Sequence, residues 1–310
     1  MHNDNQPYDI SHESIRQMSD KVKRHYANEL GRMAREAAEL EISVTPKPGL
    51  VDISGPGCHD DMDYELFMKS SAALAPYWRL QASAGLNSLT GAVAMRELVS
   101  AGKEMEASMF AATNGVNTHK GLIFLLSLLL YGAGYCLSNG EEITAANISR
   151  FASLPVKGGS RRALLSLKDK PASELTHGER LLLEHGVTSI RGEAESGFPS
   201  VVKAGLPEFS RVKGGGGGVD GAGISSLLAI MEICEDSNVM HRGGYDFWNG
   251  EYKELVRGAR EAYDPFSGDT SPIVELENKF KERWISPGGA ADLLCCVIFL
   301  HKVINSPCQQ

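Results

Sequence analysis

A chain of 310 residues with 42% hydrophobic content can bury a sizeable core, and its formal net charge of -8 denies it the positive field that a nucleic-acid or anionic-membrane surface needs. A small anionic ligand held by a few local Lys and Arg stays open. Six cysteines without a CxxC pair, and an N-terminal MHNDNQPYDISHES without an apolar signal core, predict a reduced, cytoplasmic protein.

In chain order, residues 1–28 read as a polar lead-in and 29–310 as one helical domain. Leu30, Met33, Ala37 and Leu40 recur at helical spacing. Glu41 follows Ala37 by four, at the edge of that apolar face, so it either points inward or is a solvated helix-end charge. The stretch Glu41 to Asp63 then holds Pro46, Pro48, Gly49, Gly55, Pro56 and Gly57, which forbid regular structure. It also carries Lys47, Asp52, His59, Asp60, Asp61 and Asp63, more charge than a linker needs. The next helix is expected near Asp60, which puts Asp60, Asp63 and Phe67 on one face; first-turn acids are favoured by the helix dipole in any case.

A helix is expected over Leu86–Glu97. The segment 113–121 interrupts the pattern before GLIFLLSLLLYGAGYCL, a run apolar nearly all round that predicts a helix buried at the centre of the fold. Its longest apolar run, Leu122 to Leu130, is short of the ~20 residues that span a bilayer, and Gly132 and Gly134 follow it, so no transmembrane segment is expected. Asn117 or Thr118 is the expected N-cap, with His119 and Lys120 in the first turn. Cations are disfavoured at a positive helix end unless an anion is present, so this end reads as a phosphate cradle. The alternative is a snorkelling Lys beside a satisfied core His.

Residues 138–190 give ordinary amphipathic helices. In the following RGEAESGFP, Glu193 and Glu195 stand two apart and diverge on a helix, so one is expected to be functional and the other solvated. The glycines at 214–218 lack the Lys-Ser/Thr ending of a phosphate loop and read as a flexible linker or a lid. An apolar helix over 224–234 delivers Asp236, Asn238 and Arg242 ahead of a Gly-Gly turn. Ser286 to Leu294 opens a terminal helix, in which Asp292 reads as a plain first-turn acid and the Gly-Gly pair as a candidate wall of the site. Neither strand alternation nor a repeat emerges, and the expected fold is all-α: a single-domain multi-helical bundle with a central buried helix.

The carboxylates Glu41, Asp61, Asp63, Glu193 and Asp236, unaccompanied by a Cys/His cluster, suit Mg²⁺ completed by substrate phosphates. Lys47, Lys120, Arg191 and Arg242 supply cations, and His59 and His119 supply imidazoles. The bottom-up reading is a Mg²⁺-assisted enzyme acting on a polyphosphate.

TPKPGLVD at 45–52, GCHDDMD at 57–63, GVNTHKG at 115–121, RGEAESGFP at 191–199, DSNVMHRGG at 236–244 and SPGGAADLL at 286–294 together resemble the triphosphoribosyl-dephospho-CoA synthase family. The motifs spread in family order over most of the chain. Ala290 stands where a Ser is usual, Ser237 where a Thr is usual, and Asp60 falls at a variable position. The resemblance implies an all-helical pentosyltransferase that joins ATP to 3′-dephospho-CoA and releases adenine. The product is the prosthetic-group precursor for the acyl carrier of citrate lyase or malonate decarboxylase, and an acyl-carrier-protein transferase is the implied downstream partner.

On that reading Lys47, Asn117, His119, Lys120, Arg191 and Arg242 hold the phosphates. Glu193, Asp61 and Glu41 are the catalytic candidates, and Asp61, Asp63, Glu193, Asp236 and Asn238 the metal ligands. Helical spacing favours Asp60 and Asp63 for inward display, whereas the motif favours Asp61. Two rival readings are a metal phosphohydrolase built on His59-Asp60, with His119 or His241 completing its cage, and a non-enzymatic docking protein for a carrier subunit.

Overall fold

The computed structural model describes residues 18–167 and 170–306, so most of the expected lead-in lies outside the described residues. Helix α1, Asp20–Ser43, starts inside that span: the Ser19 hydroxyl caps it by accepting from the Val22 N–H, and Ala27 is already in the core. Its small inward residues, Ala27, Ala34, Ala37 and Ala38, let neighbouring helices come close. There follow α2 (Tyr64–Leu74), α3 (Trp78–Leu86), α4 (Gly91–Ala112), α5 (Lys120–Asn139) and α6 (Ala145–Ser153). The second half contains α7 (Gly159–Ser166), α8 (His177–His185), α9 (Ser189–Glu195), α10 (Leu206–Gly214), α11 (Val219–Ile233) and α12 (Ser237–Gly243). The short α13 (Tyr245–Phe247), then α14 (Lys253–Ala262), α15 (Ser271–Glu282) and α16 (Gly288–Ile304) complete it. Among the described residues no strand forms, and a single antiparallel bridge joins Asp52 to Gly55. The fold is all-α and one domain.

The middle of the bundle is α5, as its all-round apolar character requires. It packs on α3, α6, α16 and α1. Two of these contacts are made by backbone: a Cβ at Gly85 would lie 2.0 Å from the Tyr131 carbonyl oxygen, and one at Gly132 would lie 2.3 Å from that of Ile148. By length and composition α5 could cross a membrane, but the bundle covers it on most sides. The helices α11 and α16 are also apolar nearly all round and lie in the same core. This layering brings the N-termini of α5 and α16 to one end, beside the C-terminal turn of α1.

Three expectations change. The helix expected over Leu86–Glu97 is interrupted at 87–90, where α3 has ended at Leu86 and α4 has yet to start at Gly91. The helix after the charged loop begins at Tyr64 and not near Asp60. The glycines at 214–218 form a packed turn between α10 and α11, where a Cβ at Gly217 would lie 2.4 Å from the Val212 side chain and one at Gly215 would lie 2.9 Å from the Phe266 ring. That turn does not border the cavity described next.

Candidate active site

A cavity of about 570 Å³ opens where α1, α5, α9, α12 and α16 end or begin. The loop after α1 forms one wall, and Asp52 organises it. Its buried carboxylate accepts from the Lys47 N–H at 2.8 Å, the Thr45 hydroxyl at 3.0 Å and the Ser54 N–H at 2.7 Å. With its backbone held, Lys47 turns its side chain inward and donates to the Glu41 carbonyl at 2.7 Å and the Glu41 carboxylate at 2.5 Å. Both side chains are buried, and both line the cavity. Burial pushes the Glu41 carboxyl up, and the Lys47 ammonium opposes that.

Arg242 of α12 fastens the same loop by donating to the Cys58 carbonyl at 2.7 Å and the Trp284 carbonyl at 2.9 Å. His59 pairs through Nε2 with the Ser286 hydroxyl at 2.8 Å; burial and the Arg242 charge hold its imidazole below the ordinary range. Asp61 stands at the exposed rim, 3.8 Å from His59 Nδ1. The structure therefore separates the aspartates that spacing and motif had set against each other: Asp61 lines the cavity, and Asp60 and Asp63 do not.

At the start of α5, His119 occupies the N-cap position, while the Asn117 side chain accepts from the Lys120 N–H at 3.2 Å. His119 is buried against the edge of Phe67, with Nδ1 2.7 Å from the Ser70 hydroxyl. Its other nitrogen, Nε2, is buried with no hydrogen-bond partner among the described residues. Burial, with the Lys47 charge beside it, lowers the imidazole to about 3, so His119 is a neutral group and not the cation that its place in the sequence suggests. Lys120, more than half exposed, pairs with Glu106 at 3.1 Å, and Arg191 stands exposed on the α9 side. All six residues expected to hold phosphate line the one cavity: Lys47, Asn117, His119, Lys120, Arg191 and Arg242.

Three expected carboxylates are placed elsewhere, each satisfied by backbone N–H groups. Asp63 is exposed and caps α2, accepting from the Leu66 N–H at 2.8 Å. Glu193 accepts from the Ser200 N–H at 2.7 Å and its hydroxyl at 2.9 Å, and burial outweighs these bonds to push its carboxyl up. Asp236 is buried, caps α12 through the N–H groups of Asn238 and Val239, and accepts from the Ala290 N–H at 3.0 Å, tying α12 to α16. None of the three borders the cavity. Glu195, expected to be solvated, holds the N-terminus of α7 through the N–H groups of Gly158 and Ser160.

The expected magnesium set of Asp61, Asp63, Glu193, Asp236 and Asn238 is thereby dispersed. Of these, only Asp61 and Asn238 line the cavity, and no group of three or more His, Cys, Asp or Glu side chains among the described residues could hold an ion. The residues present do not fit a protein-caged Mg²⁺. The same dispersal removes the His59-Asp60 metal cage.

One residue on the wall is more than the plain helix-start acid that its place in the sequence suggests. Asp292, in the first turns of α16, faces the first turn of α5 so closely that a Cβ at Gly121 would lie 2.0 Å from its Oδ2. The sequence signal was an acid followed directly by an all-apolar helix, with a glycine where α5 must let it approach.

The cavity thus combines the N-termini of two long helices and four cations with a buried carboxylate, Glu41, and a half-buried one, Asp292. Such a chamber accepts a polyphosphate and leaves acids beside it for proton transfer or charge stabilisation.

The ATP:dephospho-CoA triphosphoribosyl transferase family, CitG, matches residues 27–308. The chain belongs to this family. A relative from Photobacterium profundum is 36% identical over 280 residues, covering 88% of this chain and 87% of the relative. One from Vibrio cholerae is 35% identical over 285 residues, covering 89% and 88%; both carry the name probable 2-(5″-triphosphoribosyl)-3′-dephosphocoenzyme-A synthase. A third, from Pectobacterium atrosepticum, is named 2-(5″-triphosphoribosyl)-3′-dephosphocoenzyme-A synthase and is 32% identical over 289 residues, 92% of each chain. No solved structure matches. For this triphosphoribosyl transferase family member, the matched region includes every residue that lines the cavity.

Proposed function

We propose that the protein transfers the 5-triphosphoribosyl group of ATP to the ribose 2′-hydroxyl of 3′-dephospho-CoA and releases adenine. The observation that carries this reading is the convergence of the α5 and α16 N-termini with Lys47, Lys120, Arg191 and Arg242 on one cavity that also holds a buried carboxylate at Glu41. Family membership supplies the donor and the acceptor.

The triphosphate stays on the sugar, so the cations bind it and do not assist phosphoryl transfer. Lys47 bridges the two halves of the site: its ammonium holds Glu41, and one of its three N–H donors is left for a phosphate oxygen. His119, neutral, offers Nε2 as a directed hydrogen-bonding group and not as charge. The transition state at the anomeric carbon has oxocarbenium character, which an adjacent carboxylate stabilises. Glu41, fixed by Lys47, is placed for this and for taking the proton of the attacking hydroxyl, help worth about 10²–10⁴ in rate. Attack opposite the departing adenine inverts the β-linkage of ATP to an α-linkage. Asp61, at the rim beside His59, meets the acceptor side.

Magnesium belongs to this reading as an ion that enters on the triphosphate, because the described residues offer no cage for it. The product is the prosthetic-group precursor for a citrate lyase or malonate decarboxylase acyl carrier, passed on by an acyl-carrier-protein transferase. The working compartment is the cytoplasm, where the five free described cysteines stay reduced.

Mass analysis of the products from ATP and dephospho-CoA tests the reading. The expected result is free adenine together with dephospho-CoA enlarged by one triphosphoribosyl group. Release of phosphate or diphosphate with adenine retained would overturn it.

A further inference from the structure

Adenine is a poor leaving group as an anion, and its departure from a ribosyl carbon needs a proton on the ring. The site must therefore contain an acid as well as a base, and two carboxylates are present on the cavity wall with different surroundings. Glu41 is gripped by the Lys47 ammonium at 2.5 Å. Asp292 has no such partner: its principal charged neighbours are the acids Glu41 and Asp236, the Cys295 and Cys296 thiols follow it on α16, and a single backbone N–H, that of Leu122, opposes them. The bare edge of Gly121 admits its carboxyl to the cavity wall above the first turn of α5.

We propose that Asp292 is the general acid that protonates N7 of the departing adenine. The assignment rests on the transferase reading above. In the step, the C1′–N9 bond breaks and its electron pair stays on the base, while N7 takes the proton from Asp292. The 2′-oxygen of dephospho-CoA forms the new bond to C1′ and gives its proton to Glu41. Return of a proton from Glu41 to Asp292 through solvent resets both groups, so the overall transfer is from the acceptor hydroxyl to adenine.

Two observations support this division of labour. Burial, with Glu41 and Asp236 adding to it, drives the Asp292 carboxyl well above the usual carboxylate range, whereas at Glu41 the Lys47 ammonium opposes the upward push of burial. Paired acids whose surroundings push them apart are how one site runs acid and base chemistry together. The position is also independent of titration: Asp292 lines the same cavity as the first turns of α5 and α16, so its carboxyl borders the space that a nucleotide held by those helix ends would occupy.

The test compares donors. In Asp292→Asn, which keeps the volume over Gly121, adenine release from ATP should fall by about 10²-fold or more, whereas transfer from 4-nitrophenyl β-ribofuranoside 5-triphosphate, whose 4-nitrophenolate leaves without a proton, should fall by less than about tenfold. The wild-type kcat/KM with ATP should decline on the alkaline side as Asp292 ionises, and the variant should lose that limb. The unaltered protein gives a second measurement: 7-deaza-ATP, which lacks N7, should compete with ATP for binding and release no base. Equal losses from both donors, an unchanged rate with ATP, or turnover of 7-deaza-ATP as fast as ATP would each overturn the assignment. Failure of the wild-type protein to release adenine from ATP at all would instead overturn the transferase reading.

Discussion

Two sets of acids in this protein occupy similar sequence settings and do opposite work. At the cavity wall, Glu41 and Asp292 have few hydrogen-bond donors, one balanced by a single ammonium and the other by a single N–H. In the layer behind it, Asp236, Glu193, Glu195 and Glu235 are saturated by N–H and hydroxyl donors from neighbouring helix starts; Glu235, for example, takes the N–H groups of both Thr188 and Ser189. A carboxylate whose oxygens are taken up by N–H and hydroxyl donors has fixed its geometry and turns no free lone pair to the cavity, which makes it a fastener even where burial pushes it up, as at Asp236 and Glu193. One with unspent capacity facing a cavity can move a proton.

Variants in each set of acids should behave differently. The largest expected effect is Glu41→Gln, which keeps the shape but removes the base, and should lower kcat for adenine release by about 10²–10⁴ while the protein still folds. If kcat falls less than tenfold, the wall acids are not the chemical ones. Asp236→Ala should show the converse. It strands the N–H groups of Asn238, Val239 and Ala290, two of them at buried residues, and should cost about 2–4 kcal/mol in denaturant unfolding, with kcat of the remaining folded enzyme retained.

His119 supplies a pH-dependent version of the same contrast. Its folded value of about 3 lies below the ordinary 6.5, so the unfolded chain binds the proton more readily. Its contribution is present above pH 6.5 and is lost as pH falls toward 3, at up to about 1.4 kcal/mol per pH unit. His119→Gln should flatten that part of the stability profile. Arg191→Ala should raise KM for ATP by about tenfold with kcat unchanged, as loss of uniform binding does. The smallest effect is expected for Asp63→Ala, about 1 kcal/mol of stability from a lost cap and no change in KM for ATP; a large rise in KM would return Asp63 to the site.

These results trace how far residue patterns reach. The all-α bundle and its central helix were legible because the 3.6-residue period and the unbroken apolar face at 121–137 are local properties of the chain. The convergence of Lys47 and Lys120 on one cavity was legible too, since a Lys at a helix start and a Lys in a Pro-Gly loop are locally anomalous charges. The acids were harder. Whether Asp236 faces a ligand or the Ala290 N–H depends on 54 positions of intervening chain, and nothing beside it in sequence announces that donor. Asp292 resembled any first-turn acid until the fold set it against Gly121, and His119 resembled a cation until burial made it neutral.

The placement of α5 has a consequence in time. It is made early in translation, yet one of its flanks is covered by α16, the last helix, which also packs on α1. Until that closing helix is delivered, a long greasy cylinder waits with an open side, the state that chaperones recognise. Because α16 also brings Gly288, Gly289 and Asp292, the nascent chain acquires its nucleotide chamber and its protected interior in the same event.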